Sequence, residues 1–168
     1  AERTADIAVT GVTRTAGALE ARVTVTNKTG HKFPSGVGFR RAFITFDVLD
    51  AQGQVLWSSG RTNSSGMIVD RDGRPIEGEA WWTRHCERRI APEKRAHQPH
   101  YQVVSREDQA QIYQELASTP PKDATPICGP GAAPTGELTT SFLSICARVK
   151  DNRILPQGVL SLRDRTTI

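Results

Sequence analysis

The sequence predicts an all-β protein: an antiparallel, Ig-like β-sandwich with long loops and at most one short helix. Three observations favour this class. Short segments alternate apolar and polar residues with the period of two that is typical of strands lying on a core. Turn-forming residues separate these segments, and about seven strands fit this spacing. The 168-residue chain has the length of one domain, so we expect a single β-sandwich domain over residues 1–168.

Two hairpins are predicted in the first sixty residues. Residues 7–13 and 18–26 ("IAVTGVT" and "ALEARVTVT") alternate apolar and polar side chains on either side of a Thr-Ala-Gly turn. Residues 41–49 ("RAFITFDVL") repeat the alternation, and "DAQG" then turns the chain into "QVLWSSG". Each pair of segments is therefore expected to form two antiparallel strands.

The middle of the chain is richer in turn signals. Residues 69–79 ("VDRDGRPIEGE") have turn composition, so we expect Glu77 and Glu79 to be solvated there. Residues 100–105 ("HYQVVS") predict a strand. Residues 106–118 ("REDQAQIYQELAS") fit either a short helix or a strand, and the pattern alone leaves both open.

The last third is expected to begin with a loop and to end with a strand. Residues 118–137 are rich in proline and glycine, which excludes the interior of a helix or sheet. Residues 138–150 ("LTTSFLSICARVK") predict a strand, and "DNRILPQG" predicts the turn that ends it.

Composition excludes several classes of function. The formal charge is +4, but the basic residues are scattered and only 6% of residues are aromatic, which argues against nucleic-acid binding. No stretch reaches the ~18 apolar residues of a membrane helix, so we expect a soluble chain that does not span a membrane. Residue 1 is Ala, which suggests a removed leader or a piece of a longer chain. No motif of a known enzyme class is present, and we expect no catalytic activity.

The cysteine spacing limits cofactor attachment. Cys86, Cys128 and Cys146 form no C-x-x-C or C-x-x-C-H motif, so the chain binds no haem covalently. A disulfide between Cys128 and Cys146 would close the proline-rich loop, as is usual in an oxidising compartment. Three reduced, buried thiols are the alternative.

A longer stretch adds a resemblance to a known family. Residues 23–60 ("VTVTNKTGHKFPSGVGFRRAFITFDVLDAQGQVLWSSG") contain a valine-rich strand, an N-x-T-G-H-x-x-P-[ST]-G motif, paired arginines and an aromatic strand. They resemble the non-haem β-sandwich domain toward the C-terminus of many bacterial multihaem c-type cytochromes. Residues 99–115 and 138–158 look like later strands of that domain, including its D-N-R-[IL]-x-P-x-G turn.

The resemblance implies a non-catalytic accessory or interaction module of a multihaem electron-transfer assembly in the periplasm or at the cell surface. Such a module would pack against haem-bearing parts, either as a fragment of a haem-bearing polypeptide or as its partner. The alternative from another class is a free-standing binding module for protein, carbohydrate or copper.

The resemblance also supplies candidate site residues. His31 could be an axial ligand to a haem c of a neighbouring domain or subunit; alternatively, it could donate a hydrogen bond to a backbone carbonyl and hold its loop. Arg40 and Arg41 could bind haem propionates through their guanidinium groups. The alternative for these arginines is an ion pair with Asp47 or Asp50.

A secondary metal site is conceivable at His97 and His100, which form an H-x-x-H motif around Pro99. No third ligand lies close in the sequence. His100 could instead cap the strand predicted after it.

Overall fold

The computed structural model describes residues 3–37, 40–80, 96–122 and 127–159. Every strand pair in these ranges is antiparallel. The one helix in these ranges is a 3-10 turn, Phe142–Ser144. No helix among the described residues is long and apolar enough to cross a bilayer. The predicted all-β, sandwich-like antiparallel class is confirmed. The strands are β1 Ala5–Arg14, β2 Leu19–Asn27, β3 Arg41–Phe43, β4 Phe46–Leu49, β5 Val55–Ser59, β6 Arg61–Thr62, β7 Ile68–Val69, β8 Ile112–Ser118, β9 Leu138–Thr139 and β10 Ala147–Asp151.

The chain divides into two compact units. Unit 1 comprises Ala1–Gly36 and Arg153–Ile168, and unit 2 comprises Val37–Asn152. The single sandwich domain expected over residues 1–168 stays a prediction.

Unit 1 contains the first predicted hairpin. β1 pairs with β2 from Ala5 opposite Asn27 to Arg14 opposite Leu19, with a bulge after Val9. Most side chains of both strands are exposed. The alternation therefore predicts the strands correctly, although it does not identify a buried face here.

Unit 2 is organised around β8. β3 and β10 pair with its two edges, and β9 extends the pairing at its C-terminal end. β4 and β5 form the second predicted hairpin, and β6 pairs with β7. The single strand predicted over 41–49 is interrupted at residues 44–45, because β3 pairs with β8 whereas β4 pairs with β5.

β8 settles the choice between helix and strand. Residues 112–118 are a strand whose two edges are both hydrogen-bonded to neighbours. Ile112 and Gln114, on one face, are buried, whereas Tyr113 and Glu115, on the other, are only partly buried. The helix alternative over 106–118 is therefore wrong, since sheet pairing outweighs the helical spacing of the apolar residues.

The strand predicted over 100–105 is wrong. Side chains take up the hydrogen bonds that a neighbouring strand would have satisfied: the N–H of Tyr101 donates to Oε1 of Gln111 (2.9 Å). Oε1 of Gln109 accepts from the N–H groups of Ser105 (2.9 Å) and Arg106 (3.1 Å). Because the edges of β8 are already paired, the glutamines that precede it hold this segment as an irregular loop.

The strand predicted over 138–150 is present only at its ends, as β9 and β10. Between them, the N–H of Ser141 and the hydroxyl of Ser144 bond to Oγ1 of Thr139 (3.1 and 2.9 Å). These short polar side chains close a tight 3-10 turn in place of an extended segment. The described part of the proline-rich loop before β9, residues 119–122 and 127–137, contains no strand or helix, as predicted.

The apolar core lies in unit 2. Ile68, Ile76, Ala110 and Ile112 are 0–4% exposed, and Phe43 packs against them. Full burial of one such branched aliphatic side chain is worth about 1.5–3 kcal/mol. This cluster therefore joins β3, β7 and β8.

Three turns in unit 2 share one side-chain device. Oδ1 of Asp50, Asn63 and Asp70 each accepts hydrogen bonds from the backbone N–H groups two and four residues later (2.7–3.1 Å). Such Asx turns satisfy backbone donors locally. They confirm the turns predicted at "DAQG" and within 69–79.

Candidate functional site

The loop that follows β2 is built around the side chain of Asn27, which is 2% exposed. Its Nδ2 donates to the carbonyl oxygens of His31 (2.6 Å) and Ile154 (3.1 Å). Its Oδ1 accepts from the backbone N–H (2.9 Å) and the hydroxyl (2.8 Å) of Thr29. One buried amide thus uses all of its polar atoms to fold the N-K-T-G-H stretch into a defined loop.

The same loop contacts a distant part of the sequence. Phe33 and Ile154 exchange two backbone hydrogen bonds, of 2.9 and 2.8 Å. The Phe33–Pro34 peptide bond is cis, and Pro34 is buried. Phe33 of the G-H-x-x-P block and Ile154, near the C-terminal end of the described residues, are therefore neighbours in unit 1, an adjacency that their spacing in the sequence does not indicate.

His31 lies exposed at the outside of this loop. Its Nδ1 is 3.1 Å from the carbonyl oxygen of Lys32 and 3.1 Å from Oγ1 of Thr29. A carbonyl oxygen only accepts, so Nδ1 carries the proton, and Nε2 of the neutral ring carries the lone pair. Nε2 makes no hydrogen bond with the residues that the structure describes. This tautomer is the one in which a histidine binds a metal through Nε2.

Arg41 has a partner that the sequence did not suggest. Its guanidinium group binds the carboxylate of Glu79 through both terminal nitrogens, with Nη2 2.8 Å from Oε2. The Glu79 side chain is 2% exposed and also accepts from the N–H of Ile68 (2.8 Å). The expectation that Glu79 is solvated is wrong, because Arg41 and β7 compensate its charge inside unit 2.

The carboxylates proposed as alternative partners of the arginines are engaged elsewhere. Asp47 accepts from Arg61 (2.9 and 3.2 Å), and Asp50 holds its own turn. Arg40 is exposed, and its backbone N–H donates to the carbonyl of Val37 (3.0 Å). Propionate binding by Arg40 and Arg41 stays a prediction, and for Arg41 it requires an exchange of partners with Glu79.

His100 belongs to a polar cluster between β8 and β10. Asn152 accepts from the N–H of Gln114 through Oδ1 (3.0 Å) and donates to the carbonyl of Ile112 through Nδ2 (2.8 Å). These bonds fix its amide orientation, so Nδ2 also donates to Nδ1 of His100 (3.2 Å). Gln111 donates to the same nitrogen (2.7 Å). Nδ1 is therefore the acceptor, and Nε2 carries the proton.

Lys150 is the buried cation of this cluster. The residue is 9% exposed, and Nζ donates to the carbonyl oxygens of Gln98 (2.8 Å) and Ile112 (2.9 Å). Burial lowers the pKa of Lys150 to about 8. Sequence reasoning missed this residue, because lysine is rarely buried and the surrounding A-R-V-K-D pattern gives no sign of it.

The two histidines of the H-x-x-H motif share an electrostatic environment. Burial, then the positive charge of Lys150, lowers the pKa of both His97 and His100; Glu77 opposes the shift at His97. Both rings are thus biased toward the neutral form. Among the described residues, no group of three or more His, Cys, Asp or Glu is placed to hold a metal ion. The metal role of His97 and His100 stays a prediction.

The predicted disulfide is confirmed. Cys128 and Cys146 are bonded across a sequence separation of 18 residues. Cys86 lies outside the described residues. A disulfide is typical of chains that fold in an oxidising compartment.

Comparisons with protein-family models, with curated proteins and with solved structures found no match for this chain.

Proposed function

We propose that this chain is a non-catalytic interaction module of a multihaem electron-transfer assembly, and that it offers His31 as an axial ligand to a haem c held by a neighbouring domain or subunit. The observation that carries the proposal is the state of the His31 ring. Nδ1 donates to the carbonyl of Lys32, and the exposed Nε2 is left with its lone pair. A backbone carbonyl on Nδ1 is a usual second-shell partner of a metal-binding histidine.

The anchoring of the loop supports the same function. A ligand held by a rigid support loses little conformational entropy when it binds. Asn27 fixes the carbonyl of His31, and Phe33 is hydrogen-bonded to Ile154, so the loop is held on both sides of the imidazole. The residues present therefore fit a haem iron that lacks one axial ligand.

The haem and this chain would have distinct roles. The haem would supply the one-electron chemistry. This chain would supply the sixth ligand through Nε2, hold its orientation through Nδ1, and exclude water from one side of the iron. The Cys128–Cys146 disulfide agrees with location in the periplasm or at the cell surface.

The test is a titration of the full chain into a haem c peptide that carries one histidine ligand of its own. We expect conversion to a low-spin, six-coordinate spectrum with two nitrogen ligands. His31→Ala should abolish the conversion, whereas His97→Ala, in the other unit, should retain it. The same conversion in His31→Ala, or none in the wild type, would reject the proposal.

A second variant tests the orientation of the ring. Thr29→Val removes the hydroxyl that bridges Oδ1 of Asn27 and Nδ1 of His31. We expect weaker binding with the same low-spin spectrum, because the ligand remains but its orientation is less restricted.

A further inference from the structure

The turn between β9 and β10 in unit 2 exposes apolar side chains that the proposed function does not use. Within the 3-10 turn, Phe142 is 58% exposed and Leu143 is 100% exposed. Ile145, directly after the turn, is 47% exposed. A single exposed apolar residue is normal on a protein surface, whereas three within four residues are typical of an interaction surface.

The disulfide brings a second segment to this turn. Cys128 is bonded to Cys146, and the N–H of Gly129 donates to the carbonyl of Cys146 (2.9 Å). Ile127, the residue before Cys128, is 91% exposed. Residues 127–129 and 142–146, which we call the apolar tip, are therefore joined covalently although they are distant in the sequence.

The turn of the apolar tip has a defined conformation. Oγ1 of Thr139 accepts from the N–H of Ser141 (3.1 Å) and is 2.9 Å from Oγ of Ser144. The N–H of Cys146 donates to the carbonyl of Ser118 (2.8 Å). A surface that is already ordered loses little conformational entropy when it binds.

Charge is almost absent around the apolar tip. Residues 127–146 contain one charged residue, Glu137, and its carboxylate pairs with Lys122 (2.9 Å). By contrast, 24% of all residues in the chain are charged. The tip with its flanking residues therefore carries no net charge when this ion pair is counted.

The kind of apolar residue favours lipid over a protein partner. Residues that dominate protein–protein binding are Trp, Tyr and Arg, with Leu under-represented, and the apolar tip contains none of those three. Leu, Ile and Phe are the side chains whose transfer into a bilayer is most favourable. A completely exposed leucine also projects outward, as a group that enters a membrane surface must.

We propose that the apolar tip inserts into the interfacial region of a lipid bilayer and attaches this chain peripherally to a membrane surface. Ile127, Phe142 and Leu143 would enter the boundary between headgroups and acyl chains. The hydroxyls of Thr139 and Ser144 bond to each other, so they do not depend on lipid for a partner. Because the tip carries no net charge, apolar burial would drive attachment, and anionic headgroups would not be required.

Flotation with phosphatidylcholine vesicles tests the proposal. The full chain is mixed with vesicles, and the bound fraction is measured as the lipid concentration rises. We expect binding that does not fall between about 0.1 and 0.5 M NaCl, because salt screens charge attraction but does not weaken apolar burial.

Substitutions assign the binding to the apolar tip. Leu143→Ala should lower the partition coefficient about tenfold, since it removes most of the apolar side chain that enters the bilayer. Ile127→Ala should lower it in the same direction. Leu56→Ala is the matched control, because Leu56 is 55% exposed on β5, outside the tip, and vesicle binding should not change. Leu143→Ala should retain the wild-type melting temperature, because its side chain is fully exposed.

Several outcomes would reject the proposal. These are absence of vesicle binding, loss of binding in high salt, and equal effects of Leu143→Ala and Leu56→Ala. A wild-type dimer in sedimentation that Leu143→Ala converts to a monomer would instead identify the tip as a contact between copies of this chain. His31→Ala should float like the wild type, so this proposal and the haem-ligand proposal fail independently.

Discussion

The two units bury different kinds of side chain. In the described part of unit 1, the buried positions are Asn27 and Pro34, and most apolar residues of its hairpin are exposed, with Val23 and Val25 partly buried. In unit 2, Ile68, Ile76 and Ile112 form an apolar core. Unit 1 is therefore held by directed hydrogen bonds to one amide, and unit 2 by apolar packing. The hydrogen bonds of Asn27 fix a loop in unit 1, whereas the apolar packing in unit 2 stabilises a sheet.

The largest expected effect is in the core of unit 2. Ile112→Ala should lower the free energy of unfolding by about 2–5 kcal/mol, because it removes buried methyl groups and leaves a cavity beside Phe43. The matched change in unit 1, Ile7→Ala, should cost less than about 0.5 kcal/mol, since Ile7 is 62% exposed.

Urea unfolding followed by circular dichroism measures both variants. Similar losses would mean that the β1–β2 hairpin has a buried apolar face, and the contrast between the units would not hold.

A smaller effect is expected from the amide of unit 1. Asn27→Ala removes both hydrogen-bond donors to the carbonyls of His31 and Ile154, and the cost should be about 1–3 kcal/mol. The effect should be local, with faster amide hydrogen exchange across residues 27–34 and unchanged exchange in β8.

Two comparisons sharpen this result. The Asn63 side chain accepts hydrogen bonds within its own surface turn and donates none. Asn63→Ala should therefore lower the free energy of unfolding by less than Asn27→Ala does. Asn27→Asp keeps the bonds to Thr29 but loses both donors. If the amide hydrogens of residues 27–34 exchanged at the wild-type rate in Asn27→Asp, the hydrogen bonds donated by Nδ2 of Asn27 would not be what holds the loop.

The sequence predicted local structure better than long-range contacts. Alternation located β1, β2, β4 and β5, and the proline-rich loop was identified by composition. The sequence could not reveal that β8 would have both edges paired, which excluded the helix over 106–118 and left 100–105 without a neighbouring strand. Which strands pair depends on segments that are distant in sequence, whereas the alternation of apolar and polar residues describes one segment alone.

The candidate site was predicted to a similar extent. The Cys128–Cys146 pair was predicted from the loop between the cysteines and is confirmed, whereas the role of His31, proposed from its G-H-x-x-P context, stays a prediction. Glu79 and Lys150 were missed, because charged residues are normally solvated and only contacts distant in sequence bury them. Arg41 lies 38 residues from Glu79, and Gln98 lies 52 from Lys150.

The smallest expected effect is a pH dependence confined to unit 2. Burial, then the charge of Lys150, lowers the pKa of His100 in the folded state below its unfolded value of about 6.5. The unfolded chain therefore binds a proton first as the pH falls. Stability should be fully present above pH ~6.5 and should decrease as the pH falls toward the folded pKa, by about 1.4 kcal/mol for each unit of difference.

His100→Asn isolates this contribution. Asparagine keeps an acceptor for Gln111 and Asn152 but does not titrate, so the variant should lose less stability than the wild type between about pH 7 and 5. His97, whose pKa is lowered by the same causes, accounts for part of the loss that remains. At about pH 8 both imidazoles are neutral in either state, so there the variant should match the wild type to about 0.5 kcal/mol. Melting curves at the three pH values measure the difference. An unchanged slope in His100→Asn would mean that burial and the charge of Lys150 do not lower the pKa of His100 in the folded state.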